Sequence, residues 1–139
     1  MSAATRDRLI FALAIASGIA GWAWAGGKEA WDHAEYWSLV LPLTSLLLFA
    51  FGTFGSRGAW RWPALVFGAQ LATMLAFSLT RGDGPGNLAP LGAVLFAILG
   101  GVGLVPTYLG VALRRIRQRR TQARFAAAAR RVDFDTRER

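Results

Sequence analysis

The chain has 139 residues, of which 54% are hydrophobic and only 17% charged, with a formal net charge of +8 and no cysteine. A soluble domain carries roughly 25% charged residues, so this composition argues against a water-soluble globule. Without cysteine there are no disulfides, thiolate nucleophiles or cysteine-ligated metals.

Four apolar stretches take up most of the sequence, at residues 9–25, 37–54, 63–80 and 88–112, and none has a charged side chain inside it. A hydrocarbon core about 30 Å thick needs roughly 17–25 helical residues to cross it, and each stretch is long enough. Lipid supplies no partner for backbone N–H and C=O groups, so a crossing segment satisfies them internally as a helix. The stretches are apolar all round rather than on one face, which fits lipid exposure better than a soluble bundle. The expected fold class is therefore all-α: a four-helix transmembrane bundle over residues 1–113, followed by a basic, arginine-rich cytoplasmic tail over 114–139.

Helix one follows Arg6 and Arg8. The same segment, ending in Ala23-Trp24-Ala25, also fits a secretory signal with a small-x-small cleavage site; the long apolar run and bulky tryptophans favour a retained helix. Ala12, Ala16 and Ala20, with Ser17 and Gly21 beside them, form a small-residue ladder of the kind through which helices approach in lipid. The first connection holds Lys28, Glu29, Asp32, His33 and Glu35. If it is helical, Glu29, Asp32, His33 and Tyr36 share one face, and imidazole with carboxylates is a donor set for a transition metal. A second imidazole is missing, so a solvated interfacial helix anchored by Trp31 and Trp37 is the expected reading, with no metal or other cofactor. The single histidine also leaves no Ser-His-Asp arrangement.

Helix two carries the bulky run Leu46-Leu47-Leu48-Phe49 and no ladder, and is expected to face more lipid than the others. Its Thr44 and Ser45 can bond back to their own helix carbonyls. Arg57 and Arg61 follow in the second connection, with no acid. Pro63 suits the first position of helix three, whose ladder is Ala64, Gly68, Ala72 and Ala76. Gln70 is the one strongly polar side chain near a helix midpoint, with Thr73 and Phe77 on its face. It either lines a pore or bonds a neighbouring helix, worth about 0.6 kcal/mol, and the second role is expected.

The third connection, Arg81 to Asn87, is glycine-rich and lacks the lysine of a phosphate-binding loop, so it reads as a tight turn. Asn87 can cap helix four, Pro90 lies in its first turn, and Ala89, Ala93, Ala97 and Gly101 form its ladder. Pro106, after Gly100, Gly101 and Gly103, is expected to kink or locally unwind it. Gln70, Thr73, Gly101 and Pro106 are thus the candidate pore-lining or helix-contact residues. Arg114, Arg115, Arg117, Arg119 and Arg120 then point to anionic lipid headgroups, at about 1 kcal/mol per basic residue. Nucleic acid is not an expected partner, since charge comes without a recognised fold. The remainder of the tail is expected to be partly helical and partly disordered.

Placing both termini in the cytoplasm leaves all but two of the 16 basic residues inside, the exceptions being Lys28 and Arg81. Retention of basic residues on the cytoplasmic side sets this topology. Trp22, Trp24, Trp31 and Trp37 are expected in an outer aromatic belt, and Trp60 and Trp62 in an inner one.

The segments Trp60-Arg61-Trp62-Pro63, Gly68-Ala69-Gln70 and Gly86-Asn87-Leu88-Ala89-Pro90-Leu91-Gly92 resemble a pattern in small four-helix bacterial inner-membrane proteins of no known activity. That resemblance, over the second half of the chain, implies topology and bacterial origin. The small multidrug resistance transporters also have four helices but rely on a glutamate in helix one, which is absent here. The fluoride-channel family inserts as an antiparallel dimer, which the charge bias of this chain opposes. No ionisable group lies within a span, which argues against an ion-coupled transporter. The leading expectation is a non-enzymatic accessory or scaffold subunit of the bacterial inner membrane, a multi-pass protein whose partners are the lipid bilayer and its anionic headgroups, and its own copies or another membrane protein. The alternative is a passive channel or small-molecule permease formed by oligomers.

Overall fold

The structure is a computed structural model that describes residues 2–24, 33–56, 58–80 and 89–137, with 89 and 127–137 described in backbone only. The described residues form four helices and no strand: α1 (Ala3–Trp24), α2 (Leu41–Phe54), α3 (Arg61–Thr80) and α4 (Ala89–Arg137). A turn of π-helix, Tyr36–Val40, leads into α2, where the Leu41 N–H reaches back to the Tyr36 carbonyl. Pro42 accounts for this widening, because it has no N–H to donate and its ring crowds the carbonyl four residues back.

Among the described residues, three helical segments are long and apolar enough to cross a membrane: Tyr36–Phe54, Arg61–Thr80 and Pro90–Ala126. The chain is a multi-pass membrane protein on that ground. The segment of α1 differs because the helix starts at Ala3, ahead of the apolar stretch, and takes in Arg6, Asp7 and Arg8. Helix α3 also starts early, at Arg61, so Pro63 is its third residue rather than its first. Its missing N–H still falls among those with no intrahelical partner. Helix α4 contains Pro106 and runs on unbroken through the arginine run. The expected local unwinding is absent there, and the Thr107 hydroxyl donates to the Gly103 carbonyl at 2.8 Å beside the proline.

Helix α1 packs on α3, α3 on α4, and α4 on α2, while α1 and α2 barely touch. Glycine explains this order. A Cβ on Gly52 would lie 2.0 Å from the Thr107 carbonyl oxygen, one on Gly110 2.1 Å from that of Phe49, and one on Gly18 2.4 Å from that of Val66. Backbone therefore meets backbone at the α2/α4 and α1/α3 crossings, which is how helices gain van der Waals contact when lipid is as apolar as they are. The contacts advance in the same sense along each pair: Gly18 with Val66 and then Gly21 with Gln70, and Leu48 with Gly103 and then Gly52 with Thr107. Helices α1 and α3 are parallel, and so are α2 and α4. The start of α1, the end of α2, the start of α3 and the Arg114 region of α4 thus share one end, called here the basic end.

The sequence ladders do not form these contacts. Ala12, Ala16 and Ala20, all four members in α3, and Ala93, Ala97 and Gly101 in α4 are exposed. The core instead draws Ile10, Ala14 and Trp22 from α1, Leu48 and Phe51 from α2, Trp62, Val66, Phe67 and Met74 from α3, and Phe96 and Leu99 from α4. Helix α2, expected to face lipid, makes the closest backbone approach of all. The tryptophans divide as well: Trp24, Trp37 and Trp60 are exposed, but Trp22 (1%) and Trp62 (2%) are core residues rather than belt residues. Trp22 meets Phe96 edge-on with ring centroids 6.4 Å apart, and Trp62 lies 6.2 Å from Phe51. Trp31 lies outside the described residues.

A methyl group distinguishes the two kinds of glycine. Gly52→Ala should destabilise the protein by about 1–3 kcal/mol, the usual range for overpacking, seen as a lower melting temperature in detergent. Gly101→Ala should leave it unchanged or raise it, since nothing lies within 4 Å of a Cβ there.

Candidate functional site at the basic end of the helices

At Gly55 the backbone turns extended (φ −69, ψ 142) and stops α2, its N–H still bonded to the Phe51 carbonyl. A side chain there would meet the Trp62 indole at 2.9 Å. Ser56 is thereby delivered to Asp7 at the start of α1. Its backbone N–H donates to Asp7 Oδ1 at 3.0 Å and its hydroxyl donates to Asp7 Oδ2. Asp7 is only 4% exposed. An intramolecular hydrogen bond contributes about 0.5–1.5 kcal/mol net, so this two-bond clasp ties α1 to the α2–α3 connection. The connection closes through Arg61 N–H to the Gly58 carbonyl at 3.2 Å and Trp62 N–H to the Ala59 carbonyl at 3.3 Å. The Arg61 guanidinium sits 5.6 Å from the Trp60 ring centroid.

Two spaces flank the clasp. One, of about 380 Å³, is lined by Asp7, Phe11, Trp60, Arg61, Trp62, Ala64 and Leu65. The other, of about 490 Å³, is lined by Arg6, Thr53, Phe54, Ser56, Arg114, Arg117 and Gln118. Of the arginines proposed from sequence as headgroup contacts, Arg114 and Arg117 reach this second space. Arg115, Arg119 and Arg120 are exposed on α4 away from it.

A different kind of concavity runs along the outside of α3 and α4. It has a volume of about 420 Å³, and its small residues are Ala64, Gly68, Ala93, Ala97, Gly100 and Gly101. A Cβ on Gly68, Gly100 or Gly101 would have nothing within 4 Å. Two of the sequence ladders therefore lie side by side on an open face.

The remaining candidates are dispersed. Gln70 is fully enclosed (0% exposed), and its Oε1 accepts a hydrogen bond from the Tyr36 hydroxyl at 2.9 Å. Its Nε2 has no partner among the described residues and lies 3.1 Å from the position a Cβ on Gly21 would take. Thr73 is half-buried and donates to its own helix, to the Ala69 carbonyl at 2.8 Å. Gly101 is on the open α3/α4 face, and Pro106 is half-buried. Gly103 is closed off by Leu48, Phe67 and Pro63. His33 is exposed; Glu29, Asp32, the Ala25 cleavage position, Arg57 and the glycine-rich turn lie outside the described residues. No group of three potential metal ligands occurs among the described residues.

Asp7 and Ser56 both fall outside the apolar stretches, Asp7 ahead of the first and Ser56 between the second and third, so span length gives no sign of them. A signal for Asp7 was present: it stands in seven-residue register with Ala14 and Gly21, which share the buried face of α1. Compared with known proteins, the chain matches no family model, no curated protein and no solved structure.

The Tyr36–Gln70 bond can be weighed by a double-mutant cycle. Tyr36→Phe and Gln70→Leu should each destabilise the protein by about 0.6 kcal/mol, the mean for such bonds in membranes. The double variant should fall by less than the sum, because removing both polar partners strands neither. Additive losses in detergent melts would show that the bond contributes nothing.

Proposed function

We propose that this chain is a non-enzymatic accessory or scaffold subunit of the bacterial inner membrane, a four-helix transmembrane bundle whose outer α3/α4 groove seats a transmembrane helix of a second copy or of a partner protein. The observation that carries this reading is the groove itself. A Cβ on Gly68, Gly100 or Gly101 would meet nothing within 4 Å, and Ala64, Ala93 and Ala97 beside them are exposed. In lipid, such residues gain from close approach of another backbone, because side chains do not hold the helices apart. The fold has already used a separate set of glycines for its internal crossings, so the outer set is available.

Both termini are proposed to be cytoplasmic, with the basic tail on the same side. The Asp7–Ser56 clasp and the arginine-lined space support this, since they gather the start of α1, the α2–α3 connection and the Arg114 region at one end. Arginine clustered at one end of membrane helices is held on the cytoplasmic side. A passive pore, the alternative reading, needs Gln70 on an open path, and its amide is enclosed and bonded to Tyr36.

Ala93→Leu with Gly101→Leu should weaken association about tenfold or more, equivalent to about 1.4 kcal/mol, while the melting temperature of the monomer stays near wild type. Crosslinking with mass spectrometry and detergent-phase sedimentation measure the first; unchanged oligomers and unchanged crosslinked partners would defeat the scaffold reading. Reporter fusions should find both the first and last residues in the cytoplasm.

A further inference from the structure

We propose that the space lined by Arg6, Thr53, Phe54, Arg114, Arg117 and Gln118 binds the phosphate of an anionic phospholipid headgroup. This inference rests on the membrane placement proposed above but not on the α3/α4 groove. Guanidinium groups from the start of α1 and from α4 line one volume of about 490 Å³, and among the described residues no carboxylate lines it. Confined like charges repel each other, and an anion between them removes that repulsion. Asp7, next to Arg6 in the chain, is engaged by Ser56 through both of its oxygens.

The hydroxyls around the space are already committed. That of Ser56 donates to Asp7, and that of Thr53 donates to the Phe49 carbonyl at 2.9 Å. Among the described residues, the side-chain donors left to a ligand are the guanidiniums and the Gln118 amide. Arg6 adds a specific sign of an unmet partner: its Nε is enclosed by protein yet has no hydrogen bond among the described residues. Arg114 and Arg117, three residues apart, stand on the same face of α4. Forked guanidinium donors match phosphate oxygens two at a time, which favours phosphate over a simple halide.

The wall of the space indicates a lipid as the source of that phosphate. Phe54 is 56% exposed, and Leu43 and Leu47 of α2 are exposed too. They follow Phe54 along the same helical face. A phospholipid can place its phosphate among the arginines and lay its acyl chains along this apolar strip. A free phosphate gains nothing from it.

The test uses the full chain reconstituted in phosphatidylcholine vesicles, with spin-labelled phosphatidylglycerol as the probe and melting temperature recorded for every variant. Arg6→Gln with Arg117→Gln should weaken retention of the probe about tenfold more than Arg119→Gln with Arg120→Gln, which removes equal charge from outside the space. Arg117→Gln alone, on an exposed part of α4, should already show a loss at wild-type melting temperature. Equal losses from the two pairs would overturn the proposal in favour of diffuse attraction. So would a site that takes up inorganic phosphate and ignores phosphatidylglycerol. Crosslinked oligomers from the same vesicles report separately on the groove, so either reading can fail without the other.

Discussion

Close approach of backbone to backbone, in a solvent that gives helices no hydrophobic reason to associate, is the constraint on which this structure depends. Lipid tails solvate leucine as well as another leucine does, so affinity between helices comes from contact distance. At Gly52 and Gly110 the α2 and α4 backbones meet where a side chain would collide with a carbonyl, and Gly18 brings α1 onto α3 in the same way. These crossings dictate the order α1, α3, α4, α2. Helices α1 and α2, consecutive in the chain, are left almost unpaired. The seam between them stays open as an apolar cleft of about 200 Å³ lined by Ser17, Gly21, Leu43 and Thr44 among others.

Crossings made of glycine are smooth, and by themselves they fix register weakly. Two polar contacts supply what they lack. At the basic end Asp7 accepts two hydrogen bonds from Ser56, which pins the start of α1 against the turn between α2 and α3. Toward the other end Tyr36, set by the π-turn ahead of Pro42, donates to Gln70 of α3. The first contact holds α1 to the end of α2 and the second holds the start of helix two to α3, so helices that touch little are still indexed to one another. Gathering the arginines of α1 and α4 at one end follows from this indexing, and it turns charge scattered along the sequence into a shaped basic space.

Much of the fold was legible in the residues. Helicity followed from uninterrupted apolar runs; Tyr36–Phe54 and Arg61–Thr80 match them closely, while α4 continues to Arg137, well past the apolar stretch that ends at residue 112. The contact faces were not legible. Ladders of alanine at four-residue spacing look alike whether they face a sister helix or open lipid, and in α1, α3 and α4 they face outward. The inward faces mix glycine with large side chains, such as Gly18 beside Trp22 or Gly103 against Phe67, a pattern that small-residue spacing does not pick out. Trp22 and Trp62 misled for a related reason. An indole at the end of an apolar run suits a headgroup belt, and it fills the core equally well when a glycine opposite leaves room, as Gly55 does for Trp62.

By itself the sequence determined that this is a helical membrane protein with its positive charge concentrated at particular segment ends, because backbone satisfaction in lipid and retention of arginine depend on composition and order alone. Only tertiary structure decided which helices are neighbours, that Asp7 is buried against Ser56, and that Arg6 stands with Arg114 and Arg117 around one space. Those outcomes depend on which glycine meets which carbonyl across helices far apart in the chain. A one-dimensional pattern does not encode that pairing, since every face of an apolar helix is equally acceptable to lipid.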